Sequence, residues 1–195
     1  MIQINLRDTL NAGQFYVAEL SEKLGIEIRA YKHEIATDTC FEKANLLKWP
    51  AERVIKTVLL SKEKDNYFYG FVFPELGTRE EPKYLIKKEI LPGLLGITKS
   101  DAKQFRNYYP PGKIEFGTST PFLPEELFEE VESKGKKTLA KIFIHDYPKI
   151  NSELVDISLG GSGEDAHKTS LHLNYENIYS ILHNKFGNKI NWFSF

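Results

Sequence analysis

The chain has 195 residues, of which 41% are hydrophobic and 27% are charged, and its formal net charge is −1. This length allows one sizeable core, and the near-neutral charge argues against non-specific coating of a nucleic acid, although not against a local basic patch that grips a few phosphates. No apolar run approaches the roughly 20 residues of a membrane span, and the N-terminus lacks a secretory signal pattern. We therefore expect a cytoplasmic protein with no membrane partner.

Cysteine and histidine give no sign of a metal site. Cys40 is the single cysteine, so an internal disulfide is excluded, which suits a reducing compartment. Of the five scattered histidines only His167 and His172 are close in sequence, and their spacing suits neither one helix face nor one strand face. We therefore expect no bound metal.

The first elements predicted are a helix over residues 14–24 and a strand over residues 26–33. Thr39 is a good N-cap, and Glu42 stands three residues later as a capping-box partner. A second helix should therefore begin at Thr39 and end before Pro50.

Residues 54–60 read as a buried strand of mostly β-branched and aliphatic side chains, with Lys56 in its middle. Because side chains alternate faces along a strand, Lys56 shares its face with Val54, Val58 and Leu60. An ammonium among aliphatic neighbours needs a partner, a cleft or a lowered pKa. Two interpretations follow: an edge-strand lysine that reaches water, or a lysine aimed into a polar pocket.

The remaining elements complete a mixed pattern. A strand over residues 67–73 should form a hairpin with the lysine strand, and a helix over 83–91 should break at Pro92, before a short helix capped by Ser100. Further strands are predicted at 137–145, 154–159 and 169–173, and a last helix at 175–186. Because strands and helices do not alternate regularly, we expect one α+β domain over residues 1–195, with a mixed or antiparallel sheet rather than a Rossmann arrangement.

Two loops carry small residues that suit close contact with a ligand. Residues 117–121 read Gly-Thr-Ser-Thr-Pro, whose backbone N–H groups could wrap a carbonyl, an oxyanion or a phosphate; an ordinary surface turn is the alternative. Residues 160–163 read Gly-Gly-Ser-Gly and lack the ending of a P-loop, so nucleotide triphosphate binding is not expected. This second loop either lets a ligand approach the backbone or is a flexible turn.

Cys40 and His33 each allow two interpretations. Cys40 lies near a predicted helix start, where a thiolate would be stabilised, but the sequence names no histidine partner and a packed side chain is the alternative. His33 closes a predicted strand and is either a ligand-binding or a structural hydrogen-bonding residue. Ser162 does not stand in the Gly-x-Ser-x-Gly pattern of a serine hydrolase.

Five features occur in a specific order along the chain. They are a histidine that ends an early strand, a Thr-x-x-Glu-x-Ala helix start, an Ile-Lys-Thr-x-Leu strand, a Gly-x-x-x-Pro-Phe loop and a Gly-rich loop before the last helix, at residues 33, 39–44, 55–59, 117–122 and 157–163. In this order and spacing the chain resembles the YbaK/prolyl-tRNA-editing (ProX-like) family of aminoacyl-tRNA deacylases. The resemblance covers about residues 14–185.

The resemblance implies the editing-domain fold associated with prolyl-tRNA synthetase, with a barrel-like central sheet surrounded by helices. It implies a trans-editing hydrolase that cleaves the ester of mischarged aminoacyl-tRNA, with Cys- or Ala-tRNA(Pro) as the expected substrate. No metal, cofactor or covalent protein nucleophile is implied. The implied partners are the tRNA acceptor end that carries an amino acid and prolyl-tRNA synthetase.

The resemblance also implies roles for individual residues. Lys56 would contact the backbone or terminal phosphate of the substrate and fix the ester, and Gly117 would help to stabilise the oxyanion as water attacks. The substrate-binding residues that it implies are His33, Thr39, Thr57, Thr118, Ser119, Thr120, Pro121, Phe122, Gly160, Gly161, Ser162 and Gly163. Two alternatives are kept: a non-catalytic module on the same fold that binds tRNA or a nucleotide, suggested by the long polar loop after Gly160, and an unrelated hydrolase that uses Cys40.

Overall fold

The computed structural model describes residues 1–77, 90–114, 117–128, 137–161 and 164–194, without the side chain of Glu164. In these residues the strands β1 to β9 are Ile2–Ile4, Arg29–Lys32, Val54–Ser61, Tyr67–Pro74, Arg106–Asn107, Thr138–His145, Leu154–Ser158, Thr169–Asn174 and Ile190–Phe193. The helices α1 to α6 are Leu6–Thr9, Tyr16–Leu24, Cys40–Leu47, Ile90–Leu95, Lys99–Ala102 and Tyr175–Phe186. None of these helices is long and apolar enough to span a membrane.

All nine strands belong to one mixed sheet. Eight follow the order β1-β2-β8-β7-β3-β4-β6-β9, and β5 pairs with β3 beside this path. The β3–β7, β4–β6 and β6–β9 pairs are parallel, and the others are antiparallel. An α+β fold with a mixed sheet is therefore confirmed. The expected barrel-like closure is not found among the described strands, because β1 and β9 stand at opposite ends of an open path.

Both faces of β3 are covered, because its side chains alternate between two apolar clusters. Ile55 and Leu59 belong to the larger cluster, which includes Ile178 of α6. Leu60 belongs to the smaller cluster, which includes Leu91 of α4. Lys56 thus lies on the face of the smaller cluster.

Several elements are predicted correctly from local sequence signals. The Thr39 hydroxyl accepts a hydrogen bond from Glu42 N at 3.2 Å, and the Glu42 carboxylate accepts one from Thr39 N at 3.1 Å. This confirms the predicted capping box at the start of α3. The predicted helix over 175–186 and the β3–β4 hairpin are also confirmed.

Other predicted boundaries are wrong in detail. Helix α4 continues through Pro92 to Leu95, so the predicted break at Pro92 is wrong. Thr98, not Ser100, caps α5, because the Thr98 hydroxyl accepts a hydrogen bond from Asp101 N at 3.0 Å. The strand predicted at 26–33 forms only over Arg29–Lys32. Residues 83–89 of the predicted helix lie outside the described residues.

Candidate functional site

A cavity of about 440 Å³ opens beside the middle of β3. Strand β7 pairs with β3 at Val54 and Ile55, and β5 pairs with it at Leu60 and Ser61. Within the described part of the chain no strand pairs with residues 56–59 on that side, and these residues line the cavity. The volume lies in the range of about 300–1,000 Å³ that is usual for small-molecule sites.

Lys56 forms a buried ion pair in this region. Glu75 N donates to Val54 O at 3.2 Å, and Lys56 lies opposite Phe73, so Glu75 lies diagonally from Lys56 on the same face. The Lys56 ammonium contacts the Glu75 carboxylate, and the two side chains are 11% and 1% exposed. The interpretation of Lys56 as a lysine that reaches water is therefore wrong.

The two loops singled out in the sequence pack against each other. The Thr118 hydroxyl donates to Gly161 O at 2.8 Å, and the Ser158 hydroxyl donates to Thr118 O at 3.1 Å. A Cβ on Gly160, whose φ is +77°, would lie 2.7 Å from Thr120 Cγ2. The close approach of the loops therefore requires glycine at position 160.

Gln14, in the N-terminal part of the chain, connects these two loops by hydrogen bonds. Its side-chain amide is buried and donates to Phe122 O at 2.6 Å and to Leu159 O at 2.9 Å. One side chain thus fixes the carbonyls that flank both loops. No local pattern in the sequence marks Gln14, because its partners lie more than 100 residues away.

The predicted site residues divide into three groups. Those that line the cavity are Thr39, Lys56, Thr57, Gly117 and Ser119. Those that the structure describes elsewhere than in the cavity lining are His33, Thr118, Thr120, Pro121, Phe122, Gly160 and Gly161. Ser162 and Gly163 lie outside the described residues. The catalytic and substrate-binding roles of all of them stay predictions.

Three members of the second group are completely buried. Thr118 and Thr120 use their hydroxyls within the loops, the latter accepting a hydrogen bond from Phe122 N at 3.1 Å, and Phe122 packs in the larger apolar cluster. Their side chains shape the loop that carries Gly117 and Ser119 to the cavity.

His33 is buried and shares a 2.7 Å hydrogen bond between its Nε2 and the Ser170 hydroxyl. Burial, reinforced by the nearby Lys43 ammonium, lowers the pKa of His33 to about 4. The ring is therefore uncharged at neutral pH, which agrees with the structural interpretation of this residue.

Several ionisable residues at the cavity were not predicted as site residues. Asp156 of β7 and Lys43 of α3 line it, and their exposed fractions are 2% and 8%. A 3.0 Å contact joins Asp156 Oδ2 to His172 Nε2, and another of 3.0 Å joins His167 Nδ1 to Asp38 Oδ1. For Asp156 a local signal existed, since an acid stands between two aliphatic residues of a strand; the other residues offered none.

Cys40 also lines the cavity, but its thiol is not activated. Burial raises the pKa of Cys40 to about 12, and the nearby Lys56 ammonium offsets only part of that effect. The thiol therefore stays protonated at neutral pH, which weakens the alternative of a cysteine hydrolase. Among the described residues no cluster of three or more His, Cys, Asp or Glu side chains is arranged to hold a metal ion.

Comparison with known proteins finds likeness at the level of the fold. No protein-family model and no curated protein matches the chain. A solved structure named "hypothetical protein APE2540" matches 91% of this chain and 97% of its own, with 15% identity and a TM-score of 0.57. A second, named "a putative trans-editing enzyme for prolyl tRNA synthetase", matches 93% of this chain and 96% of its own, with 13% identity and a TM-score of 0.53.

A third match comes from a study of epitope backbone grafting onto scaffold proteins. It covers 95% of this chain and 97% of its own, with 10% identity and a TM-score of 0.53. At these identities the three likenesses show a shared fold and nothing about activity. The fold is thus shared with a structure named as an editing enzyme.

Proposed function

We propose that this protein is a trans-editing hydrolase that cleaves the ester of mischarged aminoacyl-tRNA, with Cys- or Ala-tRNA(Pro) as its substrate. The observation that carries the proposal is the cavity that Lys56, Gly117 and Ser119 line together. The fold shared with a structure named as an editing enzyme supports it. We further propose that residues 1–195 act as one deacylase domain in the cytoplasm, with the tRNA acceptor end and prolyl-tRNA synthetase as partners.

The chemistry proposed needs positioning and electrostatics more than a strong nucleophile. An activated ester is hydrolysed by water once its carbonyl is fixed and the developing oxyanion is stabilised by preorganised donors. Gly117 has a φ of +84° and is exposed at the cavity, so its backbone is accessible to a carbonyl oxygen. Lys56, held by Glu75, would bind the substrate backbone or its terminal phosphate.

Substrate choice would follow from cavity size. A pocket distinguishes amino acids that differ by one methylene by only about 1–3 kcal/mol, which is why a separate hydrolytic check is useful to a synthetase. A compact cavity that admits Ala or Cys and restricts larger side chains would supply that check.

The test is a deacylation panel of Cys-, Ala- and Pro-tRNA(Pro). We expect release of Cys or Ala ahead of Pro, and a loss of at least about 100-fold in rate for Gly117→Ala, because the added Cβ would displace the backbone N–H that stabilises the oxyanion. That variant adds a Cβ 3.2 Å from His167 Cε1 in a backbone conformation unfavourable to alanine. Absence of release from every tRNA, or full activity in Gly117→Ala, would contradict the proposal.

Lys56→Ala tests the lysine in the same panel. Its matched control is Lys149→Ala, which removes an exposed lysine paired with Glu52 at 2.8 Å outside the cavity. We expect activity to be lost in Lys56→Ala and kept in Lys149→Ala. Since Lys56→Ala leaves Glu75 unpaired, the double variant Lys56→Met/Glu75→Leu separates loss of the ammonium from loss of the fold.

A binding module without turnover is the second candidate. The observation that favours it is the long polar loop after Gly160, which reads Gly-Ser-Gly-Glu-Asp over residues 161–165. This module would bind a tRNA end or a nucleotide and release no amino acid. Binding of a stable aminoacyl-tRNA analogue together with an inactive panel would decide for it.

A further inference from the structure

Lys43 is a second buried lysine at the cavity. It stands in α3, lines the cavity and is 8% exposed. No carboxylate of the described residues forms an ion pair with its ammonium, whereas Glu75 holds that of Lys56. Burial lowers the pKa of Lys43, and the charge of Asp156 opposes that effect. A buried ammonium of this kind is stabilised when a ligand supplies negative charge or a carbonyl dipole.

Asp156 places a fixed carboxylate at the same cavity. It pairs with Val54 in the β3–β7 register, so it faces the same side of the sheet as Lys56. Its Oδ2 lies 3.0 Å from His172 Nε2, and the His172 ring lies between Tyr31 and Trp49, with centroid distances of 4.5 Å and 4.7 Å. The carboxylate is therefore held in one orientation by a packed imidazole.

Two buried hydroxyls at the cavity have no hydrogen-bond partner among the described residues. They are Thr37 Oγ1 and Thr57 Oγ1, and the exposed fractions of the two residues are 9% and 8%. An unsatisfied buried hydroxyl is energetically unfavourable. Such a group is expected where a bound ligand completes its hydrogen bonding. Thr57 alternates with Lys56 along β3 and so faces the other side of the sheet from Asp156, which leaves Thr37 for this role.

We propose that Lys43, Asp156 and Thr37 form a bipolar subsite that takes the α-aminoacyl group of the substrate. Asp156 binds the α-ammonium, and the Lys43 ammonium faces the carbonyl oxygen. This proposal rests on the proposed deacylase function and adds the residues that recognise the free amino group.

The charges at the Asp156 end of the cavity favour such a ligand over a phosphate. Asp156 is a buried acid that lines the cavity, and a phosphate dianion beside it would be repelled, whereas the charge of Glu75 is compensated by Lys56. An α-aminoacyl ester carries one positive group and one carbonyl dipole, separated by two bonds, and so matches a carboxylate and an ammonium that do not pair with each other. The Thr37 hydroxyl can then donate to the ester oxygens or accept from the ammonium.

The experiment compares two stable probes by titration calorimetry. One is 3′-alanylamino-3′-deoxyadenosine, and the other is its 3′-propionylamino analogue, which lacks only the amino group. We expect wild type to bind the amino probe at least about tenfold more tightly than the propionyl probe. Asp156→Asn, which keeps the shape of the side chain, should abolish that preference.

Lys43→Met tests the other half of the subsite. We expect this variant to bind both probes about tenfold more weakly and to keep the preference for the amino probe. The control is Lys23→Met, an exposed lysine of α2 outside the cavity, which should change neither affinity. An unchanged preference in Asp156→Asn, an unaffected affinity in Lys43→Met, or no binding of either probe would overturn the proposal.

Wild type alone supplies a second measurement, which does not depend on how a variant folds. An α-amino group loses its charge near pH 8, so the preference should disappear between about pH 6.5 and pH 9.5. A preference that persists at high pH would also overturn the subsite. If the preference for the amino probe is found but no mischarged tRNA is hydrolysed, the deacylase function is contradicted and the subsite is supported. If mischarged tRNA is hydrolysed but the amino probe is not preferred, the deacylase function is supported and the subsite is contradicted.

Discussion

The Lys56 ammonium and the Glu75 carboxylate form an ion pair that is buried at both ends, with exposed fractions of 11% and 1%. A second oxygen of Glu75 accepts a hydrogen bond from Gly77 N at 2.9 Å, so the acid is held by the chain beyond β4 as well as by the lysine. The pair fixes Lys56 at the edge of the cavity instead of leaving it to move in solvent.

Removal of one partner should destabilise the fold strongly. Lys56→Met leaves a buried carboxylate without its counter-ion, and we expect the free energy of unfolding to fall by about 3–5 kcal/mol. Urea unfolding measures this, with Lys149→Met as the control, because its exposed pair with Glu52 contributes about 0–1 kcal/mol. Lys56→Met/Glu75→Leu should recover most of the loss. Equal effects in Lys56→Met and the control would contradict the prediction.

The contact between the two glycine-bearing loops should be sensitive to a single methyl group. In Gly160→Ala the new Cβ would meet Thr120 Cγ2 at 2.7 Å in a left-handed conformation, and we expect a loss of about 2–3 kcal/mol in unfolding free energy. Gly25→Ala is the control, since its φ of +66° carries strain but no heavy atom lies within 4 Å of the added Cβ.

A rescue separates the clash from the strain. In the double variant Gly160→Ala/Thr120→Ser, the Thr120 Cγ2 methyl that the new Cβ would clash with is removed. The hydroxyl at position 120, which accepts a hydrogen bond from Phe122 N at 3.1 Å, is kept. The double variant should be more stable than Gly160→Ala alone. If Gly25→Ala and Gly160→Ala lose the same stability, steric contact between the loops is not the cause.

The buried His33 should make the protein sensitive to acid. Its pKa is lowered by burial to about 4, while the unfolded chain takes up a proton near the ordinary value of 6.5. Between these values the unfolded state binds more protons, so stability falls as the pH falls from about 6.5 to 4 and is unaffected above that window. His33→Asn should reduce this acid-induced loss by about 1–3 kcal/mol in urea unfolding at several pH values. A parallel pH dependence in both proteins would refute the assignment.

The Cys40 thiol should react slowly with alkylating reagents at neutral pH. Its pKa is raised by burial to about 12, so little thiolate is present. We expect iodoacetamide to modify the native protein at least about tenfold more slowly than the unfolded protein, and Cys40→Ser to keep deacylase activity. A collapse of activity in Cys40→Ser, with the fold intact by thermal unfolding, would restore the cysteine mechanism.

The sequence by itself determined the elements whose signals are local. Helix α6 follows from an apolar period of 3.6 residues, the start of α3 from the Thr39–Glu42 capping box, and the β3–β4 hairpin from two apolar runs around a turn. Lys56 stood out for the same reason, because a charge within an aliphatic strand is visible without any partner.

Tertiary structure alone decided how these elements meet. Short strands such as β1 and β9 exist because they pair with distant segments, and their own sequences are too brief to specify a strand. Lys43, 113 residues before Asp156 in the sequence, comes to the same cavity only when α3 packs beside β3 and β7 pairs with it. Residue periodicity records burial along one element, whereas a site depends on the contacts between elements, which only the folded chain brings together.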